Sequence, residues 1–165
     1  MRKFIKPLMI AAALAASFST VAVQKDITVN ANVDAELDMT QADNTPLPAS
    51  VDMQYLPGQG LQPYKLNTKI WSNDIAKDVQ VRLVSAAQLA NEAGTKQVPL
   101  TVVLGDKTLS TTDTTYAAAD LFPGTLENGS QVLPLTFSQT TKGVLETGKY
   151  SGVVSLLLLQ KTTGA

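Results

Sequence analysis

From residue 26 onward, apolar and polar positions alternate in short runs with a period of two, the spacing of a half-buried strand. Runs of this kind cover Asp26–Met39, Val51–Tyr55, Tyr64–Trp71, Val79–Ser85, Val98–Leu104, Lys107–Ser110, Val132–Gln139 and Lys149–Leu159. Turn signals lie between them. Asn44-Thr45-Pro46-Leu47-Pro48 and Leu56-Pro57-Gly58-Gln59-Gly60 break the chain firmly. Leu104-Gly105-Asp106-Lys107 places Gly first in a two-residue loop, which suits a tight hairpin, and Asn128-Gly129 predicts a second reversal by the same hairpin chemistry. Ala86–Ala93 and Thr115–Leu121 are the stretches that predict a helical turn or two.

Short strands at this spacing predict an all-β protein, an immunoglobulin-like sandwich. No internal repeat or low-complexity linker divides it, so one domain is expected. Two segments do not fit a self-contained sandwich. Asp26–Thr40 runs without Gly or Pro, and its Ile27, Val29, Ala31 and Val33 alternate with polar neighbours. Extended, it would reach roughly 50 Å, whereas a domain of this size is only about 35–40 Å wide. The segment must either bend sharply within the sandwich or project from it. At the other end, Val153–Leu159 is apolar on both faces, the pattern of a central strand covered on both sides. The six residues after it are small and polar and hold no further apolar strand to lie beside it. An open apolar edge invites pairing with another chain.

The first 22 residues read as a signal for export. Arg2, Lys3 and Lys6 form a basic start, Leu8–Ala16 is a short apolar run, and Ser19-Thr20-Val21-Ala22 sets small residues before a cut between Ala22 and Val23. The apolar run is well below the roughly 20 residues of a spanning helix, so no membrane span is expected in the mature form. Three units are therefore expected: a signal peptide over 1–22, an N-terminal extension over 23–35 and an incomplete immunoglobulin-like domain over 36–165.

Composition removes most chemistry. The chain has no Cys and no His, which excludes disulfides, thiolate or imidazole metal sites and the usual nucleophilic triads. Beyond residue 22 it has a single Arg, Arg82, so a nucleic-acid surface is not expected. Asp34, Glu36 and Asp38 share one strand face and read as solvated carboxylates rather than a Ca²⁺ site. Gly58-Gln59-Gly60 lacks the spacing and Lys of a phosphate loop. Asn128-Gly129-Ser130 matches a glycosylation acceptor by letter only. Trp71, Tyr55, Tyr64 and Tyr116 are the aromatics available for sugar stacking, but core packing is the expectation for Trp71. No cofactor and no enzymatic activity are expected.

Val23–Asp34, Leu47-Pro48 and Gly148–Leu156 together resemble the major pilins of the class 5, CFA/I-like fimbriae of the alternate chaperone–usher pathway. The likeness extends over nearly the whole mature chain and is most specific at its two ends. It implies an incomplete immunoglobulin-like sandwich completed by donor-strand exchange. It casts Ile27, Val29, Ala31 and Val33 as the donated inward row, and Tyr150, Gly152, Val154, Leu156 and Leu158 as the C-terminal strand of the acceptor groove. The implied function is a structural major subunit of an adhesive surface fimbria, exported through the periplasm. The implied partners are copies of itself, a periplasmic chaperone, an outer-membrane usher and a tip adhesin. Relatives often carry Pro where this chain has Ala35. The alternative is an exported binding module, such as a tip adhesin or carbohydrate-binding domain.

Overall fold

The computed structural model of the chain describes residues 37–161. The Ala22–Val23 cut, the row Ile27, Val29, Ala31 and Val33, and Asp34, Ala35 and Glu36 lie outside the described residues. In chain order the strands are β1 (Leu37–Gln41), β2 (Tyr55–Leu56), β3 (Gly60–Leu61), β4 (Tyr64–Ser72), β5 (Val79–Leu83), β6 (Gln88–Asn91), β7 (Gln97–Leu104), β8 (Lys107–Leu109) and β9 (Thr114–Tyr116). A single-turn helix α1 (Ala118–Leu121) and a 3-10 turn (Leu126–Asn128) follow, then β10 (Leu133–Gln139), β11 (Tyr150–Ser151) and β12 (Leu156–Gln160).

The larger sheet has the order β1-β4-β10-β7-β6-β11, with β8 also on β7, and the smaller has the order β12-β5-β9. The pairings are antiparallel. Alternation explains how the sheets face one another. In β5, Val79, Val81 and Leu83 are buried while Gln80 and Arg82 are not, and in β4, Thr68, Ile70 and Ser72 are buried while Lys69 and Trp71 are not. Ile70, Val79, Val81, Val102, Leu104 and Leu135 are the centre of the shared core. Each such side chain contributes about 1.5–3 kcal/mol on burial. Thr68, also buried, satisfies its hydroxyl by donating to the Leu133 carbonyl at 2.7 Å. The chain is thus all-β with an immunoglobulin-like fold, as its period-two runs predict.

Several local expectations change. Ala86–Ala93 is not helical: Gln88–Ala90 pairs with Gln97–Pro99 as part of β6, and the Ala87 carbonyl accepts from Leu100 N–H at 2.9 Å. A free edge on β7 outweighs the helix propensity of alanine. Thr115–Leu121 splits, its first residues joining β9 and its last forming α1, where Asp78 Oδ1 accepts from Ala118 N–H at 3.0 Å. Only Tyr55 of Val51–Tyr55 enters a strand. The hairpin at Gly105-Asp106 forms with Leu104 opposite Lys107 and Gly105 at φ +64°. Asn128-Gly129 instead closes the 3-10 turn, with Gly129 at φ +62°. Trp71 is not in the core: it is half-buried on the outer face of β4, where its Nε1–H donates to Thr40 Oγ1 at 2.9 Å.

Candidate functional site

The site grows from a bend shared by two strand pairs. β5 belongs to the smaller sheet, and the chain then crosses at residues 84–87 to become β6 in the larger one. The C-terminal segment follows the same bend: β11 pairs with β6 and β12 with β5. The run Lys149–Leu159, expected as one strand, is therefore broken at residues 152–155. Gly152 makes the bend possible, because a Cβ there would run into the Gln88 carbonyl of β6.

On its other side the C-terminal segment has no partner strand among the described residues, since β11 and β12 each end the order of their sheet. This is the open apolar edge expected from the sequence. Within one chain β12 is an edge, because the described residues supply no strand to lie beside it; its Leu159 is 39% exposed, and Val153, in the break before it, 82%. The direction of its free groups follows from the register. Val84 N–H donates to Ser155 O, and Lys161 N–H donates to Asp78 O, both at 2.9 Å. In an antiparallel ladder alternate residues bond to the same neighbour. Residues 157 and 159 therefore face β5, and the N–H and C=O of Leu156 and Leu158 point to the open edge.

Beside that edge runs an apolar groove of about 940 Å³. Leu66, Leu100, Leu135 and Phe137 line its floor, and the last three belong to the core or pack against it. One wall is the irregular stretch 47–53 and the other is the loop 144–148 with Tyr150. That loop is tied down at both ends. Gln139 Nε2 donates to the Gly143 carbonyl at 3.4 Å, Leu145 N–H donates to Tyr55 OH at 3.4 Å, and Tyr150 OH donates to the Glu146 carbonyl at 3.1 Å. Lys96 Nζ sits 2.7 Å from Glu146 Oε1. The Glu146 carboxylate, by its hydrogen bond and then by its charge, raises the Lys96 pKa above its usual value. At the far end Gln160 Nε2 donates to Ser72 Oγ and to the Asp74 carbonyl, fastening β12 to the end of β4.

Tyr150, Gly152, Val154 and Leu156 line the groove. Leu158 continues the same inward row and packs on the core, but it is not part of the groove lining. Sequence reasoning missed the opposite wall at 47–53 and the floor residues Leu66, Leu100 and Phe137. The half-buried face of β4, β7 and β10 is read equally well as closed core, so nothing in their alternation marks them. Asp52 and Glu146 stand at the rim, and no group of three or more metal-ligating side chains occurs among the described residues. The groove's chemistry is that of a strand-shaped apolar slot with backbone donors and acceptors along one side.

Residues 23–159 match the family model described as CS1 type fimbrial major subunit. The chain is 39% identical to a CFA/I fimbrial subunit of Escherichia coli over 147 residues, covering 85% of this chain and 86% of the relative. It is 36% identical to a CS1 fimbrial subunit of Escherichia coli over 169 aligned residues, covering 96% and 99%. Among solved structures, the CooA pilin subunit from enterotoxigenic Escherichia coli superposes with a TM-score of 0.69 at 32% identity, over 78% of this chain and 90% of that one. An immunoglobulin-like fold with an open C-terminal edge and a match over almost its whole length lead to one conclusion: this chain belongs to the family of CS1 type fimbrial major subunits, the CFA/I-like pilins that its two ends resemble.

Proposed function

We propose that this chain is the polymerising structural subunit of an adhesive surface fimbria, joined to its neighbours by donor-strand exchange. Residues 1–22 are then the export signal, 23–35 the donated extension and 36–165 the acceptor domain. The observation that carries this reading is the groove beside β12, with the backbone groups of Leu156 and Leu158 facing its open edge. The extension supplies what the groove lacks. Ile27, Val29, Ala31 and Val33, spaced by two, point to one face, and as an added strand they fill the slot while the backbone completes the ladder.

Burying these four side chains contributes roughly 4–8 kcal/mol in area terms. The contact is head-to-tail and does not close, so repetition yields a filament. Folding and packing drive it, with no nucleotide required. An apolar slot left open in transit is an aggregation hazard, which supports a periplasmic chaperone that covers it, an outer-membrane usher that releases it, and a tip adhesin that begins the fibre. The test is deletion of Val23–Val33 from the mature chain, co-expressed with chaperone and usher. Chaperone-bound subunit without fibres is the expected result; normal fibres refute the reading.

A further inference from the structure

The pair Asn128-Gly129 lies outside the groove and takes no part in the function proposed above. Asn128 alone of the chain's seven asparagines precedes a glycine. That order sets a side-chain amide carbon next to a backbone nitrogen whose own residue has no Cβ to hinder its approach. The same letters match a glycosylation acceptor, but the hydroxyl that the pattern requires is already engaged. Ser130 is 3% exposed, and its Oγ accepts from Ile70 N–H at 2.8 Å and donates to the Gln131 carbonyl at 2.6 Å. Asn128 itself is exposed. The chemistry open to its amide is therefore with its own backbone.

We infer that Asn128 is a deamidation site of this chain, and that the 3-10 turn holding it gates the reaction. Gly129 N loses its proton to base and attacks Asn128 Cγ. The N–Cγ bond forms, the Cγ–Nδ2 bond breaks, and Nδ2 leaves as ammonia with protons taken from water. Water then opens the cyclic imide at either carbonyl and leaves aspartate or isoaspartate. The turn opposes the first step. Gly129 N–H is held by the Leu126 carbonyl at 3.3 Å and Asn128 N–H by the Thr125 carbonyl at 3.0 Å. Asn128 Nδ2 donates to Thr125 Oγ1 at 3.2 Å, which draws the amide back along the turn. Lys69 Nζ donates to the Asn128 carbonyl at 3.2 Å and steadies the peptide plane that must rotate. This gate is weak, because no residue of the turn is buried and segments with few buried contacts open at low free energy. Isoaspartate adds an extra carbon to the main chain just before Gly129. Ser130 N–H holds the next residue to the Ile70 carbonyl at 2.8 Å, and a Cβ on Gly129 would already lie 3.0 Å from the Trp71 ring. The added length therefore moves Gly129 against the ring.

The folded full chain, and the same chain unfolded in guanidinium, are incubated in mildly alkaline buffer. Peptide mapping by mass spectrometry follows the exchange of amide for carboxylate and separates aspartate from isoaspartate. Conversion falls first on Asn128 in both samples, and it is slower in the folded chain by about tenfold or more, because the turn's hydrogen bonds must break before reaction. Thr125→Ala removes the partner of Nδ2 and speeds conversion in the folded chain by about two- to tenfold, leaving the unfolded rate unchanged. The isoaspartate form, isolated by ion exchange, shows altered Trp71 emission, whereas Asn128→Asp, which carries the charge without the extra carbon, stays near the parent. Equal rates in the folded and unfolded chains, or conversion at another asparagine first, overturn the inference. Unchanged folded rates in Thr125→Ala remove the gate assigned to its hydroxyl, and unchanged Trp71 emission in the isoaspartate form refutes the displacement.

Discussion

Gly152 lies against Gln88 so closely that a Cβ would strike the Gln88 carbonyl. This contact joins the two bends of the molecule. It lets the C-terminal segment leave β6 and join β5 without losing its place, and so holds a single continuous edge along the open groove. Gly152→Ala therefore pushes β11 away from β6 at a cost of about 1–3 kcal/mol. The expected outcome is a lower temperature of fibre dissociation in detergent, and an unchanged temperature contradicts the role given to this glycine.

Within the proposed donor row, Val29→Asp places a carboxylate in an apolar slot. Burying it unpaired costs on the order of several kcal/mol at each subunit contact. Polymers of the variant dissociate at a much lower temperature in detergent than those of Val29→Ile, which keeps the apolar face. Equal heat resistance of the two variants would show that Val29 is not inside.

Gly129 packs on Trp71: a Cβ there would lie 3.0 Å from the ring, and the residue has φ +62°. Gly129→Ala combines a left-handed backbone strain with a ring clash and destabilises the domain by about 1–3 kcal/mol. Trp71 is the one tryptophan of the chain, so the displacement is read directly as a change in its fluorescence alongside an earlier urea midpoint. An unchanged emission spectrum would contradict the packing described.

The ordered charges predict stability that is level across neutral pH. Asp74 is held below its ordinary value of 3.8, first by the hydrogen bond from Lys77, and Asp43 likewise by the hydroxyl of Thr45. Folded values below the unfolded one mean that their contribution is complete above about 3.8 and lost as pH falls through the lower folded values. Lys96, raised above 10.5 by Glu146, contributes fully below 10.5 and loses that contribution as pH rises through its folded value. With no histidine in the chain, no imidazole titrates between about pH 5 and 8. Melting followed by circular dichroism stays flat over that range and falls in acid, and Asp43→Asn with Asp74→Asn makes the acid fall shallower. A midpoint shift between pH 5 and 8 would contradict this account.

Much of the fold is legible in the chain because strand alternation is a local property. β4, β5, β7, β8 and β10 each lie within or nearly coincide with a period-two run, and the Gly105-Asp106 hairpin follows from the two residues in its loop. What failed was local too, but decided elsewhere. Ala86–Ala93 carries helix formers, yet becomes β6 because β7 offers an edge. Asn128-Gly129 turns as part of a 3-10 segment, with Gly129 packed against Trp71. Trp71 itself follows the alternation of β4, which assigns Ile70 and Ser72 inward and leaves the largest side chain outside.

By itself the sequence determined the class of the molecule: an all-β domain without thiol or imidazole chemistry, bearing a C-terminal run apolar on both faces. Those are properties of residue type and spacing, and they survive any arrangement of the strands. Only the tertiary structure decided that the C-terminal segment bends at Gly152 to edge two sheets, that Leu156 and Leu158 direct their backbone groups to open space, and that residues 47–53 form the opposite wall of the groove. A groove is made by residues remote in sequence, and its existence depends on which strand edges remain unpaired after every other pairing has formed.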